Sequence, residues 1–577
     1  MTDTAAAPLD EATYLARLRD VQAVNWPKGV ARQITYPLGP IALSEHLRHW
    51  GRETPDAAAV IWYGRIMTYA EMDELADRFA AVLKGAGVGR GDRVGVFLPN
   101  CPQFHVAFFG ILKIGAVHCP ISPMSTGAEL EYMLADTGAK GLVTLDALMD
   151  IVAKAPSAAG LDVIWTAAMA DMRPETPTMQ MPPIALADPV QTEGTIDFMT
   201  AVRAADRSVD APADPDAIAA LNYTGGTTGM PKGCVHTQGD MVFTAAANWS
   251  VGRGTDEQEA QVVIASFFPE FWIAGQNGAL LFPVLTGRPI LLMARWDPLA
   301  LLQGIEAHRA TSITTIVDGA IELMAHPRFD EFDLSSIRTA RCVSFVKKLD
   351  ADVRRRWLDK TGTVLAEASW GMTETHTSNT FTGGMQDDDF DLNSRPVFVG
   401  LPVPGNEFKI CDFDTGAILP LGAEGEIRFR SPGMLKSYWN KPEATAEALG
   451  DGWLKSGDIG VIDEDGYLHY LGRRKEMLKV RGMSVFPAEL EAVLGRLDDI
   501  LGSAVIGRAD DHAGQIPVAF VMLREGSGRS PADVADWLRE RVSAYKMPEI
   551  RIIEALPMTV TGKVKKTELL KLLEQPS

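Results

Sequence analysis

Short apolar runs that alternate with amphipathic stretches mark the first two thirds of the chain. Residues 93–98 (RVGVFL) predict a buried strand. The residues after it predict a helix with Asn100 as its N-cap and Pro102 in its first turn, where a missing N–H costs little. Further short apolar runs lie at 116–119, 141–145, 262–267, 289–293 and 313–317. Strands that alternate with helical segments are typical of an α/β fold with a substantial parallel sheet.

The pattern changes near both ends of the chain and once in between. Residues 1–45 contain one helical repeat of apolar residues and predict a leader, whereas residues 155–215 lack clear periodicity and are interpreted mostly as an excursion from the fold. From about residue 400 the strands shorten and turn signals become frequent, which predicts a β-rich subdomain. In the last block, Ser530 and Pro531 predict the start of a helix. We therefore expect a leader at 1–45, a large domain at 46–471 with its β-rich part at about 400–471, and a small α+β domain at 472–577.

Composition and charge exclude several classes of protein. The chain has 577 residues, of which 46% are hydrophobic and 23% charged, as in an ordinary globular protein with a large core. Its net charge of −20 argues against nucleic acid and against a polybasic membrane surface as partners. Every long apolar stretch is interrupted before it reaches the roughly 18 residues that an integral membrane helix needs. The five cysteines include no CxxC pair and no basic segment precedes an apolar leader, which together predict a reducing, cytoplasmic location and no cysteine-based zinc site.

The run YTGGTTGMPKG, from Tyr223 to Gly233, is the most informative segment for chemistry. It follows the apolar residues 217–221, a predicted strand, and its glycines leave backbone N–H groups unobstructed, which suits a loop that surrounds a polyphosphate. It is not a Walker A loop, because Lys232 stands three residues beyond Gly229 and is itself followed by glycine. A flexible surface turn is the competing interpretation. The candidate phosphate-binding residues are Thr224, Gly225, Gly226, Thr227, Thr228, Gly229 and Lys232.

Four further segments follow this loop in a fixed order. They are Trp370-Gly-Met-Thr-Glu374, Trp453-Leu-Lys-Ser-Gly-Asp458, Gly472-Arg-Arg-Lys-Glu-Met-Leu-Lys-Val-Arg-Gly482 and Pro557-Met-Thr-Val-Thr-Gly-Lys563. Together with the loop they resemble the adenylate-forming superfamily of AMP-binding enzymes, which comprises acyl- and aryl-CoA synthetases, firefly luciferase and nonribosomal adenylation domains. The resemblance extends over residues 45–570, nearly the whole chain. It implies a large α/β domain with parallel sheets, a β-rich subdomain and a small mobile α+β C-terminal domain.

The resemblance also implies how these segments bind ATP and magnesium. The implied contacts are those of Trp370 with adenine, Thr373 with phosphate, Glu374 with magnesium, Asp458 and Arg473 with the ribose and its phosphate, and Lys563 with the attacking carboxylate and the α-phosphate. Gly371 and Met372 are also implied to bind the nucleotide. A carboxylate at 458 suits the ribose, because it accepts from two O–H donors at once. Taken alone, Asp458 is typical of a turn and Lys563 of a solvated surface. The flanking motifs favour the catalytic interpretation of both residues.

A second arrangement of the small domain is implied for the second half of the reaction. By resemblance, the domain rotates about Lys475, within a hinge at 472–476, and brings Lys479 and Gly482 to the active site. Gly482 then lines the channel for CoA, where a Cβ would crowd the path of the thiol. The implied catalytic residues are Thr373, Glu374, Lys479 and Lys563.

The predicted activity is that of an AMP-forming acyl-CoA synthetase, an acid–thiol ligase. Such an enzyme forms an acyl-adenylate and pyrophosphate from a small-molecule carboxylic acid and ATP, and then transfers the acyl group to CoA with release of AMP. Two alternatives stay open, a standalone adenylation enzyme that loads a carrier protein and a non-catalytic binder of nucleotide or acyl-adenylate. The sequence is compatible with a homodimer but does not predict the oligomeric state.

Segments near the expected acid site depart from the family pattern. Trp272 stands where the family commonly has histidine, and Glu270 where it has an apolar residue. The bulky and basic run Phe345-Val346-Lys347-Lys348 replaces small residues of the expected adenine floor. The acyl pocket is expected at Phe271, Trp272 and Gly319, with core packing as the competing interpretation. The aromatic residues here favour a hydrophobic acid, whether fatty, aryl or polycyclic.

Overall fold

The computed structural model describes residues 10–208, 213–224, 230–252, 262–344, 347–367, 370–394, 397–510, 512–559 and 563–573. The strands within these ranges are β1 (Ala58–Trp62), β2 (Arg65–Thr68), β3 (Arg93–Phe97), β4 (Val117–Pro120), β5 (Gly141–Leu145), β6 (Val163–Ala167), β7 (Ile196–Asp197), β8 (Ile218–Tyr223), β9 (Gly233–Thr237), β10 (Ile264–Ser266), β11 (Ile290–Leu292), β12 (Ser312–Ile316), β13 (Thr339–Val343), β14 (Leu365–Glu367), β15 (Thr380–Phe381), β16 (Phe398–Pro402), β17 (Glu407–Cys411), β18 (Glu424–Arg430), β19 (Leu454–Ile462), β20 (Leu468–Arg473), β21 (Leu478–Val480), β22 (Met483–Val485), β23 (Ile500–Asp510), β24 (Gly514–Leu523) and β25 (Glu549–Ile552). The α-helices are Glu11–Asn25, Leu43–Glu53, Tyr69–Gly85, Pro102–Lys113, Gly127–Thr137, Met149–Val152, Pro183–Leu186, Phe198–Ala204, Gln238–Gly252, Ile273–Gln276, Phe282–Thr286, Pro298–His308, Val317–Ala325, Ala351–Thr361, Phe390–Asn393, Pro442–Leu449, Pro487–Leu494, Pro531–Arg539 and Lys566–Leu573.

Two seven-stranded sheets form the first part of the fold. Their strand orders are β14-β13-β12-β10-β11-β1-β2 and β7-β6-β5-β3-β4-β8-β9. Each sheet is parallel except for one antiparallel pair at its edge, β1 with β2 and β8 with β9. The apolar runs found in the sequence become β3, β4, β5, β10, β11 and β12. The predicted α/β fold with parallel sheets is therefore confirmed.

Both parallel sheets contribute to one hydrophobic core. Val60 and Ile290 of the first sheet lie in the same buried cluster as Val94 and Val143 of the second. The helix Pro102–Lys113 belongs to this cluster and is buried along its whole length. A helix with apolar residues on nearly all sides requires such an interior position.

Asn100 does not cap this helix as the sequence predicted. The residue at the N-cap position is Cys101, which makes no side-chain capping bond. Asn100 is buried and instead joins two other loops: its Nδ2 donates to the carbonyls of Phe268 (3.0 Å) and Met293 (3.1 Å), and its Oδ1 accepts from the N–H of Glu270 at 2.8 Å. Its amide therefore satisfies buried backbone groups far away in the sequence rather than the start of its own helix.

The interpretation of residues 155–215 as mostly an excursion is wrong. The stretch contains β6, which pairs with β5 over its whole length, and β7, which extends the second parallel sheet. Trp165 of β6 is fully buried and packs edge-on against Phe79. The strand was missed because proline, alanine and methionine around it hide its short apolar run.

The next sheet has six strands in the order β15-β16-β20-β19-β18-β17, and its paired strands are antiparallel. The first strand of this sheet along the chain, β15, begins at Thr380, before the predicted boundary at about residue 400. The last, β20, ends at Arg473. The helix Glu11–Asn25 of the predicted leader packs on it, with Tyr14 and Leu15 in the same cluster as Phe408. The helical part of the predicted leader therefore belongs to the core of the β-rich region.

The last sheet has five strands, β22-β21-β24-β23 with β25 paired to β24. The helix predicted from Ser530 is present as Pro531–Arg539, and Ser530 forms a capping box with Asp533. Phe486 of this region packs into a cluster with Ile459 and Leu471 of the six-stranded sheet. Among the described helices, none is both long and apolar enough to cross a lipid bilayer.

A buried ionic network ties the helix Pro102–Lys113 to its neighbour Tyr69–Gly85. Lys113 has a side chain only 1% exposed and forms ion pairs with Asp73 and Asp77, which are equally buried. Both carboxylates also pair with Arg207, a residue near the surface. Because the charges are removed from water, their free energy depends on the pairing being complete.

Replacing Lys113 by methionine should leave two buried carboxylates without their central cation. We expect Lys113→Met to lower the free energy of unfolding by about 3–5 kcal/mol, the usual cost of breaking a buried pair. The measurement is the shift of the unfolding midpoint in urea. Lys140→Met is the matched control, because the Lys140–Asp92 pair is 40% and 22% exposed and should contribute at most about 1 kcal/mol. Equal shifts in the two variants would contradict the structural role of the network.

Candidate active site

The two ends of the predicted phosphate loop are held together at the end of the β8–β9 hairpin. The N–H of Thr224 donates to the carbonyl of Lys232 (3.0 Å), and the N–H of Lys232 donates to Thr224 Oγ1 (3.1 Å). Tyr223, the last residue of β8, donates its hydroxyl to Asp136 at 2.7 Å. Gly225, Gly226, Thr227, Thr228 and Gly229 lie outside the described residues.

Tyr438 connects Lys232 to Glu374. Lys232 Nζ lies 4.1 Å from the centre of the Tyr438 ring, and the Tyr438 hydroxyl donates to Glu374 Oε1 at 2.9 Å. Burial and the nearby Glu374 carboxylate raise the pKa of Tyr438, so the phenol stays protonated and continues to donate. The expected phosphate-binding lysine and the expected magnesium ligand thus belong to one set of contacts. Sequence reasoning did not select Tyr438, since an aromatic residue beside Trp439 is equally typical of a core.

The backbone folds sharply just after Glu374. His376, Thr377 and Ser378 follow one another in the left-handed region, with φ of 59°, 48° and 52°. Non-glycine residues adopt this conformation at an energetic cost, and three in a row need strong tertiary support. Gly371 is required here, because a Cβ on it would lie 2.6 Å from the Ser378 nitrogen.

Two side chains support the strained segment from outside. Asn277 Nδ2 donates to the His376 carbonyl at 2.6 Å, and His236 Nε2 lies 3.1 Å from the Thr373 carbonyl, to which it can only donate. Asn277 begins a π-helical turn, Asn277–Leu281, between the helices Ile273–Gln276 and Phe282–Thr286. Such local widening of a helix is frequent at functional sites.

The histidines His236 and His376 are stacked and buried rather than exposed to a substrate. Their ring centres are 4.5 Å apart, and both are fully buried. Burial lowers the pKa of His236 to about 3 and that of His376 well below its ordinary value. Both rings are therefore neutral at physiological pH and support the backbone near Thr373.

Asp458 is a buried carboxylate with a partner at each oxygen. Trp370 Nε1 donates to Oδ2 at 2.9 Å, and Arg473 Nε lies 2.7 Å from Oδ1. Burial raises the pKa of Asp458 to about 6, although Arg473 and the Trp370 hydrogen bond lower it. Trp370 itself packs against Phe408 and Phe429, with ring centres 5.4 and 5.8 Å apart. The indole thus belongs to the core of the β-rich sheet. Its expected contact with adenine stays a prediction, as does the expected contact of Met372 with the nucleotide.

Lys563 is exposed and lies within electrostatic reach of these groups. Its N–H donates to Thr559 Oγ1 at 3.0 Å, which holds the turn that carries it. Desolvation and Arg473 lower the pKa of the Lys563 amine, while Asp458 and Glu374 raise it. These mutual effects show that the expected catalytic lysine is within electrostatic reach of the expected ribose and magnesium residues.

Lys479 and Gly482 lie on an exposed hairpin. Lys479 Nζ donates to Ser484 Oγ at 3.0 Å, and no contact among the described residues joins Lys479 or Gly482 to Glu374, Asp458 or Lys563. Arg481 and Gly482 both have positive φ, 51° and 81°, and form the two-residue turn between β21 and β22. A Cβ on Gly482 would meet nothing within 4 Å. The positive φ of this turn is sufficient reason for a glycine at position 482. The role of Gly482 in a CoA channel stays a prediction.

The expected hinge residue Lys475 lies in the turn Arg474–Glu476, directly after β20. A nearby lysine, Lys566, forms ion pairs with Glu476 (2.8 Å) and Glu491 (3.0 Å). Lys566 therefore connects the C-terminal helix to this turn.

The residues of the expected acyl pocket border an aromatic group. A Cβ on Gly319 would lie 2.7 Å from Thr315 Oγ1 and 3.3 Å from the ring of Trp296, which in turn lies 4.6 Å from Phe267. Phe271 packs against the same core, and Trp272 is partly buried at the start of the helix Ile273–Gln276.

Glu270 does not line this pocket. Its side chain is fully buried, and Oε1 lies 2.6 Å from Nε2 of the equally buried His105. Glu270, which stands where the family has an apolar residue, therefore forms an internal pair with His105 of the helix Pro102–Lys113.

Magnesium fits the donor set of the cleft. Among the described residues, no group of three or more His, Cys, Asp or Glu side chains is arranged to hold a metal ion by itself. Magnesium in nucleotide sites is usually bound by one or two carboxylates together with substrate phosphates, which matches the single buried Glu374.

Comparison with known proteins agrees with this geometry. The model of the AMP-binding enzyme family matches residues 47–439, and that of the AMP-binding enzyme C-terminal domain matches residues 489–563. A long-chain-fatty-acid–CoA ligase of Bacillus subtilis (strain 168) is 30% identical over 95% of this chain and 97% of its own length. 4-Coumarate–CoA ligase 1 of Solanum tuberosum is 32% identical over 88% of both chains.

Solved structures show the same architecture. The anthranilate CoA ligase AuaEII in complex with anthranoyl-AMP matches with a TM-score of 0.77 and 27% identity over 92% of this chain and 97% of that one. ATP-bound MatB from Rhodopseudomonas palustris matches with a TM-score of 0.76 and 25% identity over 93% and 99% of the two chains. The predictions of the superfamily, the fold and an AMP-forming acid–thiol ligase are confirmed. The chain belongs to the AMP-binding enzyme family and is an acyl-CoA synthetase of the adenylate-forming superfamily.

Proposed function

We propose that the chain activates a hydrophobic carboxylic acid, with Lys563, Glu374 and Asp458 as the central groups of its active site. Two observations carry the proposal: the ion pair of Asp458 with Arg473 at 2.7 Å, and the electrostatic reach of Lys563 to the carboxylates of Asp458 and Glu374. The aromatic pair of Phe267 and Trp296, which lies next to Gly319, supports an apolar acid. The related enzymes are named for fatty, coumaric and ferulic acids, all of which have large apolar parts.

In the first half-reaction, a carboxylate oxygen of the acid attacks the α-phosphorus of ATP, and the bond to pyrophosphate breaks. Negative charge grows on the phosphoryl oxygens, so positioning and electrostatic stabilisation dominate. Lys563 holds the acid carboxylate beside the α-phosphate. Thr224 and Lys232 bind the leaving pyrophosphate, and Asp458 with Arg473 binds the ribose and its phosphate. Glu374 would hold magnesium, which when bound supplies positive charge to the phosphates.

In the second half-reaction, the thiol of CoA attacks the carbonyl carbon of the acyl-adenylate, loses its proton, and AMP leaves. The small domain rotates about Lys475 between the two steps, so that Lys563 leaves the cleft and Lys479 with Gly482 enters it. Support comes from the present arrangement, in which Asp458 and Lys563 act on each other electrostatically, whereas no contact among the described residues joins Lys479 to Asp458. The five cysteines, all free and buried, support a reducing, cytoplasmic location.

A panel of carboxylic acids tests the proposed substrate class. Fatty, aryl and polycyclic acids should each be compared with acetate by the rate of pyrophosphate release at saturating ATP. We expect kcat/KM to rise with apolar surface, because each buried CH₂ adds about 0.8 kcal/mol of binding. A preference for acetate would contradict an apolar pocket. A comparison of the rates of thioester formation with free CoA and with a panel of carrier proteins identifies the thiol acceptor.

Lys563→Ala should separate the two half-reactions. We expect it to abolish pyrophosphate release while thioester formation from supplied acyl-adenylate stays largely intact, because its cation serves only the first step. The measurements are ATP–pyrophosphate exchange and single-turnover acyl transfer to CoA. Lys565→Ala is the control, since Lys565 is an exposed neighbour on the same turn. Equal losses in the two assays would refute this division of roles.

Asp458 should make the binding of ATP depend on pH. Its pKa of about 6 means that the carboxylate is ionised at pH 7.5 and mostly protonated at pH 5. Protonation removes the charge that faces Arg473 and one acceptor for the ribose, so KM for ATP should rise as the pH falls through about 6. Asp458→Asn should have a high KM that is nearly independent of pH in this range. A wild-type KM that stays constant between pH 5 and 7.5 would contradict the role of Asp458.

A further inference from the structure

Lys347 joins the large domain to the small one. Its side chain is only 8% exposed, although it belongs to the run of residues that departs from the family pattern. Its Nζ donates to the carbonyls of Gly495 (3.0 Å) and Ile500 (3.4 Å) and lies 3.2 Å from Asp350 Oδ2. Gly495 and Ile500 lie in the part that matches the C-terminal domain model, whereas Lys347 and Asp350 lie in the part that matches the AMP-binding model.

The position suits an ammonium group. Gly495 directly follows the helix Pro487–Leu494, and the carbonyl end of a helix carries partial negative charge that attracts cations. Three acceptors surround Nζ, which matches the three N–H donors of a lysine, and Asp350 balances its charge. The buried charge is therefore fully partnered only while the two domains hold this relative position.

Lys348 contacts the same end of the helix. A Cβ placed on Gly495 would lie 3.2 Å from both Cβ and Cγ of Lys348. The surfaces are thus in tight contact at Gly495, and a rotation of the small domain must separate them. The sequence predicts neither of these contacts with the small domain, because it places the run 345–348 beside adenine.

A short series of contacts leads from Lys347 to Lys563. Ile500 is the first residue of β23, whose Ala504 and Ile506 pack in one cluster with Leu556 and Val564. Leu556 and Val564 flank the turn that carries Lys563, and Met558 and Val564 form a bridge across that turn. The strand that Lys347 holds is therefore the strand against which the Lys563 turn is packed.

We propose that Lys347 is a positioning residue for adenylation: it fastens the small domain in the orientation that places Lys563 in the cleft. The proposal rests on the proposed two-step function. Its contacts hold during the first half-reaction and break before CoA is acylated. Loss of Lys347 then weakens the first step and leaves the second step unaffected or faster.

Lys347→Met tests this role, because it keeps the length of the side chain and removes the charge. We expect ATP–pyrophosphate exchange to fall by roughly 10- to 100-fold, the range for loss of hydrogen bonds from a charged group. Single-turnover transfer from supplied acyl-adenylate to CoA should be unchanged or faster. Tryptic cleavage at the hinge, which contains Arg473, Arg474 and Lys475, should accelerate because the small domain is held less firmly.

Lys360→Met is the matched control, since Lys360 pairs with Asp330 within the large domain. It should leave both half-reactions and hinge cleavage unchanged. Unchanged exchange in Lys347→Met would overturn the proposal, and so would equal losses in both half-reactions. If wild-type enzyme showed no acid-dependent exchange at all, the proposed function would fail instead, so the two failures are distinguishable.

A reversible crosslink tests the same contact without removing Lys347. Lys348→Cys combined with Gly495→Cys places two Cβ atoms about 3.2 Å apart, close to the 3.5–4.5 Å of a disulfide. Because the five native cysteines are all buried, the new pair should react selectively. The oxidised enzyme should form acyl-adenylate but no thioester, and a thiol reductant should restore the thioester. Thioester formation by the oxidised enzyme at the rate of the reduced one would show that the contact need not open for the second step, and would overturn the proposal.

Discussion

The ion pair between Asp458 and Arg473 determines how the catalytic cleft is assembled. The two residues are cross-strand partners on β19 and β20, and β20 ends at Arg473, directly before the turn that leads to the small domain. Asp458 also accepts from the indole of Trp370, so one carboxylate connects the aromatic core to the start of the hinge. A buried charge of this kind is stable only while its partners stay in place. The proposed ribose-binding carboxylate is therefore also the group that pairs with the last residue of β20, at the start of the hinge.

Charge is divided between the domains in a way that suits a two-step reaction. The chain carries a net charge of −20, yet the residues after Gly472 contain two groups of cations, one at the hinge and one around Lys563. A cation that stabilises phosphoryl transfer is an obstacle once a thiol must approach the same carbonyl. In the proposed mechanism, the position of Lys563 on a separate domain allows its charge to be present for one step and absent for the next.

Backbone strain is concentrated where Thr373 and Glu374 are presented. The left-handed residues His376, Thr377 and Ser378 reverse the chain directly after Glu374. Asn277 contacts the carbonyl of His376, and His236 contacts the carbonyl of Thr373. Such strain persists only when the surrounding structure determines the conformation. The buried, uncharged histidines provide this support without adding a charge that would compete with magnesium or phosphate.

The sequence by itself determined the repeated strands and helices, the superfamily and the class of reaction, because these depend on local spacing and on short motifs such as residues 370–374. It did not determine which distant groups meet. Asn100 donates to the carbonyl of Phe268 instead of capping its own helix. The helix Glu11–Asn25 packs on a sheet whose strands lie far away in the sequence, in the β-rich region. Lys347 donates to the carbonyl of Gly495 in the small domain, whereas the sequence placed it near adenine. Local periodicity reports only whether a segment has an apolar face. Which partner covers that face, and which buried polar groups satisfy each other, is decided by packing and hydrogen bonding between segments far apart in the chain, and only the tertiary structure shows it.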